Sequence, residues 1–141
     1  MNTLRVLVVD DSEVIRRGVC TLLEGEPQLR VVSVARDGLE AVEEARQQQP
    51  DVILLDISLP RLSGIEAARQ IRRVAPESKI LFLSQYDTWA TAREALGAGA
   101  TGYVVKSDAA RELIPGVWSV SHGKSFVSST LAAQDLRRTS R

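Results

Sequence analysis

Short apolar runs alternate with stretches of helical periodicity along most of the chain. The run at residues 4–9 (LRVLVV) is almost wholly apolar and rich in β-branched residues, which is typical of a strand buried on both faces. Similar runs predict further strands at residues 31–35, 52–55, 79–83 and 101–105. Between and after these runs, apolar residues recur at three- and four-residue spacing, which predicts amphipathic helices, including those at residues 88–98 and 108–121.

The alternation of five strands with five helices predicts a doubly wound α/β domain. Such strand–helix–strand units connect through right-handed crossovers and give a mainly parallel sheet with helices on both faces. Pro115 lies inside the last predicted helix, and its missing backbone donor is expected to bend or interrupt that helix. Residues 122–141 do not continue the alternation. Within them Phe126 and Val127 are candidates to pack back onto the domain, and residues 128–141 are expected to form a short helix or a linker.

Composition and charge exclude several classes of protein and several kinds of site. The chain has 141 residues, of which 44% are hydrophobic and 26% are charged, as expected for one soluble globular domain. Eighteen Lys and Arg balance eighteen Asp and Glu, which argues against binding of nucleic acid or anionic membrane through bulk charge. No apolar run approaches the ~20 residues of a membrane helix, and no secretory signal is expected. The single Cys20 and single His122 exclude an internal disulfide and most zinc chemistry.

Polar side chains fall at the ends of the predicted strands. Asp10 and Asp11 follow the first strand, Asp56 ends the third, Ser84 ends the fourth and Lys106 ends the fifth. Because the carboxyl ends of parallel strands lie on one edge of the sheet, these five residues are predicted to converge in one crevice.

This set of residues suits a divalent cation and a phosphoryl group. Crowded carboxylates repel one another, so three of them require a cation or raised pKa values. Oxygen ligands that stay partly open to water suit Mg²⁺ better than zinc, and a lysine with a hydroxyl opposite forms a cradle for phosphoryl oxygens. Each residue alone also has a structural explanation, as a helix cap, a turn residue or an exposed side chain. The joint placement on one edge is what favours a functional site.

Several motifs in fixed order carry a family resemblance. They are VLVVDDS at residues 6–12, DVILLDISLP at 51–60 followed by Gly64, LFLS at 81–84 and GYVVKSD at 102–108. The chain resembles the receiver domain of two-component response regulators, and in detail the NarL/FixJ (LuxR-type) branch, over roughly residues 4–122. The resemblance implies a flavodoxin-like five-stranded parallel sheet of order 2-1-3-4-5 with five helices. It also implies a receiver domain at residues 1–122 and a C-terminal linker or tail at residues 123–141.

The resemblance further implies roles for the acidic residues and the lysine. Asp56 matches the phosphoacceptor, which takes a phosphoryl group from a sensor histidine kinase, and Lys106 matches the lysine that pairs with the phosphoryl oxygens. Asp11, Asp56 and the backbone carbonyl of Ser58 match the Mg²⁺ ligands, and Asp10 helps through water.

A switch is implied by two more residues. Ser84 matches the hydroxyl that is drawn toward the new phosphoryl group, and Tyr103 matches the aromatic residue that turns into the vacated space. Gln85 stands where many receivers carry a small residue, and it is expected to narrow access to the site.

The implied function is a cytoplasmic signalling switch that catalyses its own phosphorylation and turns over no external substrate. Its output is expected to be transcription through a helix-turn-helix domain that these residues do not include, so no direct contact with nucleic acid or membrane is expected from this chain. Phosphorylation is expected to favour a homodimer through the region of Trp118.

Three alternatives stay open: a stand-alone receiver that acts on protein partners, a degenerate receiver, and a Mg²⁺-dependent phosphatase or phosphotransferase with Asp56 as nucleophile. Such hydrolases often carry a second acid two residues after the nucleophile, where this chain has Ser58, and this argues against that alternative. The complete set of acidic, hydroxyl and lysine residues argues against degeneracy.

Overall fold

The computed structural model describes residues 3–139, and its strands and helices alternate from the N-terminus to residue 121. The strands are β1 (Leu4–Val9), β2 (Leu29–Ala35), β3 (Val52–Leu55), β4 (Lys79–Ser84), β5 (Gly102–Val105) and β6 (Phe126–Val127). The helices are α1 (Glu13–Glu24), α2 (Gly38–Gln48), α3 (Gly64–Val74), α4 (Trp89–Gly97), α5 (Ala109–Ser121) and α6 (Ser129–Thr139). A single 3-10 turn, Lys106–Asp108, precedes α5.

The sheet has the order β2-β1-β3-β4-β5-β6, and every neighbouring pair of strands is parallel. Successive residues of a strand point to opposite faces, so each strand supplies two separate cores. One core, around Leu7, Phe82 and Tyr103, lies under α2, α3 and α4. The other, around Leu54 and Val104, lies under α1 and α5. The predicted doubly wound, flavodoxin-like α/β fold with a parallel sheet is therefore confirmed.

The prediction of five strands in the order 2-1-3-4-5 with five helices was wrong at the C-terminal end. Within residues 3–139 the sheet has a sixth strand, β6, and a sixth helix, α6. A strand of two residues is too short to show period-two alternation, and β6 forms because its backbone pairs with the edge of β5. The Ser128 N–H, for example, donates to the Tyr103 carbonyl oxygen at 3.0 Å.

The proposed boundary at residue 122 is not decided by this pairing and stays a prediction. Residues 140–141 of the predicted tail lie outside the described part of the chain, and so do the side chains from residue 135 onward.

Helix α5 runs unbroken from Ala109 to Ser121 through Pro115, so the expected interruption is not observed. Leu113 and Val117, on either side of the proline, are fully buried against the sheet, and this packing holds both halves of the helix in place. Among the described residues, no helix is long and apolar enough to cross a membrane.

Candidate functional site

Three strands bring acidic residues and a lysine to one edge of the sheet. Asp10 follows β1, Asp56 follows β3 and Lys106 follows β5. Carboxylate oxygens of Asp10, Asp11 and Asp56 all lie within 4.8 Å of one another. Asp10 is 3% exposed and Asp56 4% exposed, whereas Asp11 is open to solvent. The cluster is thus buried on one side and accessible on the other.

The backbone fixes the direction of the two buried carboxylates. The Ser12 N–H donates to Oδ1 of Asp10 at 2.9 Å, and the Ser12 hydroxyl in turn caps α1 by accepting from the Ile15 N–H. The Arg16 guanidinium donates to the Asp10 carbonyl oxygen at 2.8 Å. Oδ1 of Asp56 accepts from the Ile57 N–H at 2.7 Å. In both carboxylates Oδ1 is held by a local N–H, which orients the carboxylate and leaves Oδ2 free for other partners.

Lys106 connects the two buried carboxylates. Its Nζ lies 2.8 Å from Oδ2 of Asp10 and 3.2 Å from Oδ2 of Asp56. Burial opposes the charged ammonium, but the hydrogen bond to Asp10 and the charge of Asp56 outweigh burial and raise the pKa of Lys106. For Asp56 the balance is reversed. Burial raises the pKa of Asp56, Lys106 opposes that rise and Asp10 adds to it.

The loop after Asp56 ends at Gly64, where the start of α3 lies against the Asp56 backbone. A Cβ atom on Gly64 would lie 1.9 Å from the Asp56 carbonyl oxygen, so only glycine fits there. The Gly64 N–H donates to the Ile57 carbonyl oxygen at 2.8 Å, which closes the loop. Ser58 lies at the start of this loop, and its hydroxyl is 2.9 Å from the Tyr86 hydroxyl across the mouth of the site.

A chain of hydrogen bonds leads from the site into the core. Oγ of Ser84 accepts from the Tyr86 N–H at 3.2 Å, and the Tyr103 hydroxyl donates to the Tyr86 carbonyl oxygen at 2.8 Å. Tyr103 is fully buried, and burial raises its pKa; a hydrogen bond with Ser84 opposes that rise, and the negative charge of Asp56 adds to it. Tyr86 therefore joins the polar edge of the sheet to the buried tyrosine.

Tyr103, expected to turn into the space that Ser84 vacates, has its ring inside the core. Gln85, expected to narrow access to the site, is exposed. The next residue, Tyr86, is the one whose hydroxyl contacts Ser58. Its position two residues after the strand-end serine was the only sequence signal for it. The roles predicted for Asp10, Asp11, Asp56, Ser58, Ser84, Tyr103 and Lys106 stay predictions.

The donor set fits a hard divalent cation. Three carboxylates offer oxygen atoms within reach of one ion, and the exposed side of the cluster leaves room for water ligands. Mg²⁺ prefers such a set, with one or two carboxylates and several retained waters. The excess negative charge at the cluster is only partly balanced by Lys106, which also favours a cation there.

Comparison with known proteins places the chain in a family. Residues 6–117 match the response regulator receiver domain. The chain is 33% identical over 138 residues to the transcriptional regulatory protein LnrK of Bacillus subtilis, covering 98% of this chain and 63% of LnrK. It thus spans less than two thirds of that relative's length.

Solved structures agree with this result. A LuxR-family two-component response regulator from Aurantimonas sp. SI85-9A1 has a TM-score of 0.93 and 34% identity, and the match covers 99% of this chain and 100% of that one. The receiver domain of the putative response regulator NarL from Mycobacterium tuberculosis has a TM-score of 0.84 and 31% identity, covering 88% and 100%. The chain belongs to the response regulator receiver domain family, and the resemblance to its NarL/LuxR-type branch is confirmed.

Proposed function

We propose that this receiver domain is a Mg²⁺-dependent phosphoacceptor that takes a phosphoryl group on Asp56 from a sensor histidine kinase. The observation that carries the proposal is the position of Lys106, whose ammonium bridges the buried carboxylates of Asp10 and Asp56 beside the exposed Asp11. This arrangement supplies a nucleophile, a fixed positive charge and a set of metal ligands at one point.

The chemistry follows from these positions. A carboxylate oxygen of Asp56 attacks the phosphorus atom of the donor in line, and the bond from phosphorus to the leaving atom breaks with its electron pair on the leaving group. The product is a mixed anhydride on Asp56. Asp11, Asp56 and the Ser58 carbonyl would hold a Mg²⁺ ion, with Asp10 helping through water, and the ion would supply positive charge against the transferred group. Lys106 places its ammonium next to Oδ2 of Asp56, where the new phosphoryl oxygens would lie.

The same proposal gives Ser84 and Tyr103 the switch role. Oγ of Ser84 accepts a hydrogen bond from the Tyr86 N–H, and its own O–H, which also bonds with Tyr103, can rotate to donate to a phosphoryl oxygen. A shift of Ser84 toward the phosphoryl group moves the Tyr86 backbone, to which the Tyr103 hydroxyl is bonded. A local change of charge at Asp56 thereby shifts the conformational equilibrium of a larger surface around α4, β5 and α5.

The output belongs to the same proposal. Residues 1–122 form the receiver, and residues 123–141 lead as a linker toward a DNA-binding helix-turn-helix domain that these 141 residues do not include. Phosphorylation favours a homodimer, and the protein acts in the cytoplasm as a signalling domain that turns over no external substrate. Relatives named as transcriptional regulatory proteins support this assignment.

Intact-mass spectrometry tests the phosphoacceptor role. The protein is incubated with acetyl phosphate with and without Mg²⁺, beside Asp56→Asn and the control Asp51→Asn, whose side chain is exposed at the other end of β3. We expect one added phosphoryl group with Mg²⁺ in the wild type and in the control, and none in Asp56→Asn. Addition that is independent of Mg²⁺ or of Asp56 would overturn the proposal. Sustained hydrolysis of a small phosphate ester would instead support the phosphatase alternative.

A further inference from the structure

Residues 126–134 form a segment that we call the C-terminal strap, consisting of β6 and the first turns of α6. The strap is not a loose extension of the sheet, because its Ser128 and Leu131 are both fully buried. Leu131 packs into the same core as Tyr103, and Val127 lies opposite Tyr103 in the parallel pairing of β5 and β6.

Hydrogen bonds join the strap to the residues at the end of β5 and directly after it. The Val105 N–H donates to Oγ of Ser128 at 2.9 Å. The buried carboxylate of Asp108 accepts from both the N–H and the hydroxyl of Thr130, at 3.1 and 3.0 Å. These contacts place an acidic side chain at the amino end of α6, where unpaired N–H groups and the helix dipole favour it. Val105 and Asp108 flank Lys106 in the chain.

Hydrogen bonds also join the strap to the residues that follow β4. The Trp89 indole N–H donates to the Leu131 carbonyl oxygen at 2.9 Å. The Gln134 side-chain amide donates to the Asp87 carbonyl oxygen at 2.8 Å. Asp87 directly follows Tyr86, the residue that contacts Ser84 and Tyr103. One segment therefore holds both backbone regions that carry the site's hydroxyl and lysine groups.

We propose that docking of the strap and occupancy of the phosphorylation site stabilise each other, and we call this coupling the latch. With the strap docked, the Lys106 ammonium lies 3.2 Å from Oδ2 of Asp56, where it can pair with a phosphoryl group on that residue, and the Tyr103 hydroxyl is bonded to the Tyr86 carbonyl oxygen. Strap docking and site occupancy therefore favour each other. This inference rests on the proposed function, and the coupling it describes is reciprocal: occupancy favours docking of the strap by the same factor by which docking favours occupancy.

The first test is hydrogen–deuterium exchange of peptides from residues 126–134. The protein is compared alone, with Mg²⁺, and with Mg²⁺ plus either acetyl phosphate or beryllofluoride, and the phosphorylated fraction is read from intact mass in the acetyl phosphate sample. We expect strap exchange to slow roughly two- to tenfold on occupancy, as expected for a gain on the scale of one hydrogen bond. Phosphorylation with unchanged or faster strap exchange would overturn the latch and leave the phosphoacceptor role intact. No phosphorylation at all would overturn both.

The second test is the reciprocal one. Thr130→Val removes the hydroxyl that donates to Asp108 and preserves the side-chain shape, and Trp89→Phe removes the indole N–H while keeping an aromatic ring. The control Thr21→Val removes an exposed hydroxyl on α1 that bonds only within its own helix. We expect both strap variants to expose the strap to exchange and to need more beryllofluoride for half-saturation, again by roughly two- to tenfold. Strap variants that exchange faster yet bind beryllofluoride like Thr21→Val would contradict the latch.

Discussion

Replacement of Asp56 by asparagine is expected to stabilise the fold in the absence of a divalent cation. Asp56 is a buried carboxylate beside a second buried carboxylate, and burial raises its pKa. The asparagine side chain has nearly the same shape and lacks the charge. The variant is therefore expected to keep the packing of the site while relieving the cost of an ionised group in the protein interior.

The size of the effect follows from three opposing contributions. At an effective dielectric constant of about 20, Asp10, which has a carboxylate oxygen within 4.8 Å of one of Asp56, repels Asp56 by about 3.5 kcal/mol at that limiting distance. Lys106 at 3.2 Å attracts Asp56 by about 5 kcal/mol. Burial of the carboxylate costs several kcal/mol, about 4 kcal/mol here. The balance favours the neutral side chain by about 2 kcal/mol, which corresponds to a rise of about 6 °C in Tm for a domain of this size.

The gain depends on pH in a defined direction. A carboxyl group whose pKa is raised by folding contributes its unfavourable charging energy fully only above that raised pKa. The advantage of Asp56→Asn is thus complete only above the raised pKa of Asp56, shrinks as the pH falls through that pKa, and is lost below the ordinary pKa of aspartate.

Magnesium is expected to reverse the order of stability. A cation at about 100 times its Kd stabilises the wild type by about 2.7 kcal/mol, and the variant, which lacks one carboxylate ligand, gains less. Thermal and urea unfolding are measured with EDTA and with Mg²⁺, beside Asp51→Asn as a matched exposed substitution. A variant that is less stable than the wild type in EDTA, or that responds to Mg²⁺ as the wild type does, would refute the electrostatic account of the cluster.

Further outcomes follow from the remaining contacts. Lys106→Met leaves two buried carboxylates without their cation and is expected to lower the free energy of unfolding by about 3–5 kcal/mol in EDTA, as measured by urea denaturation. An unchanged midpoint would show that the ion pairs contribute nothing. Tyr86→Phe removes the hydroxyl contact to Ser58 and is expected to open the site to water. The phosphoryl group on Asp56 should then hydrolyse roughly two- to tenfold faster, as followed over time by intact mass. An unaltered lifetime of the phosphorylated protein would argue against this shielding. Gly64→Ala places a Cβ atom against backbone and is expected to lower the free energy of unfolding by more than about 3 kcal/mol or to prevent folding. Gly18→Ala lies in open space within α1 and is expected to raise the free energy of unfolding by about 0.5–1 kcal/mol. Equal effects of the two substitutions in circular dichroism melts would contradict the close approach at Gly64.

The sequence was sufficient to predict the elements that carry strong apolar patterns. Strands β1 and β3 have the predicted bounds because each is a continuous apolar run with polar residues at its end. Strand β2 begins at Leu29, two residues before the predicted start, because Arg30 interrupts its pattern. The meeting of Asp10, Asp11 and Asp56 was predictable from the parallel sheet alone, since topology brings strand ends together whatever the sequence between them.

Contacts that depend on single side chains across long separations were not predictable in the same way. The Trp89 indole donates to a carbonyl oxygen 42 residues away. Tyr86 forms hydrogen bonds with Ser84 and Tyr103 through its backbone, in addition to the contact of its hydroxyl. Neither contact has a periodic pattern, and β6 has two residues and therefore no pattern of its own. Such features are set by tertiary packing, which is why this region was expected only as residues that pack back onto the domain, followed by a short helix or a linker.

Asp56 is the residue that we propose accepts the phosphoryl group. The most direct measurement locates that group after incubation with acetyl phosphate and Mg²⁺, by reducing the acyl phosphate with borohydride and sequencing the tryptic peptide of residues 47–61 by tandem mass spectrometry. Asp51 and Asp56 both lie in this peptide, and Asp10 and Asp11 lie in another. The account predicts that the reduced residue is Asp56 alone. Reduction at Asp10, Asp11 or Asp51, or at none of them, would contradict it.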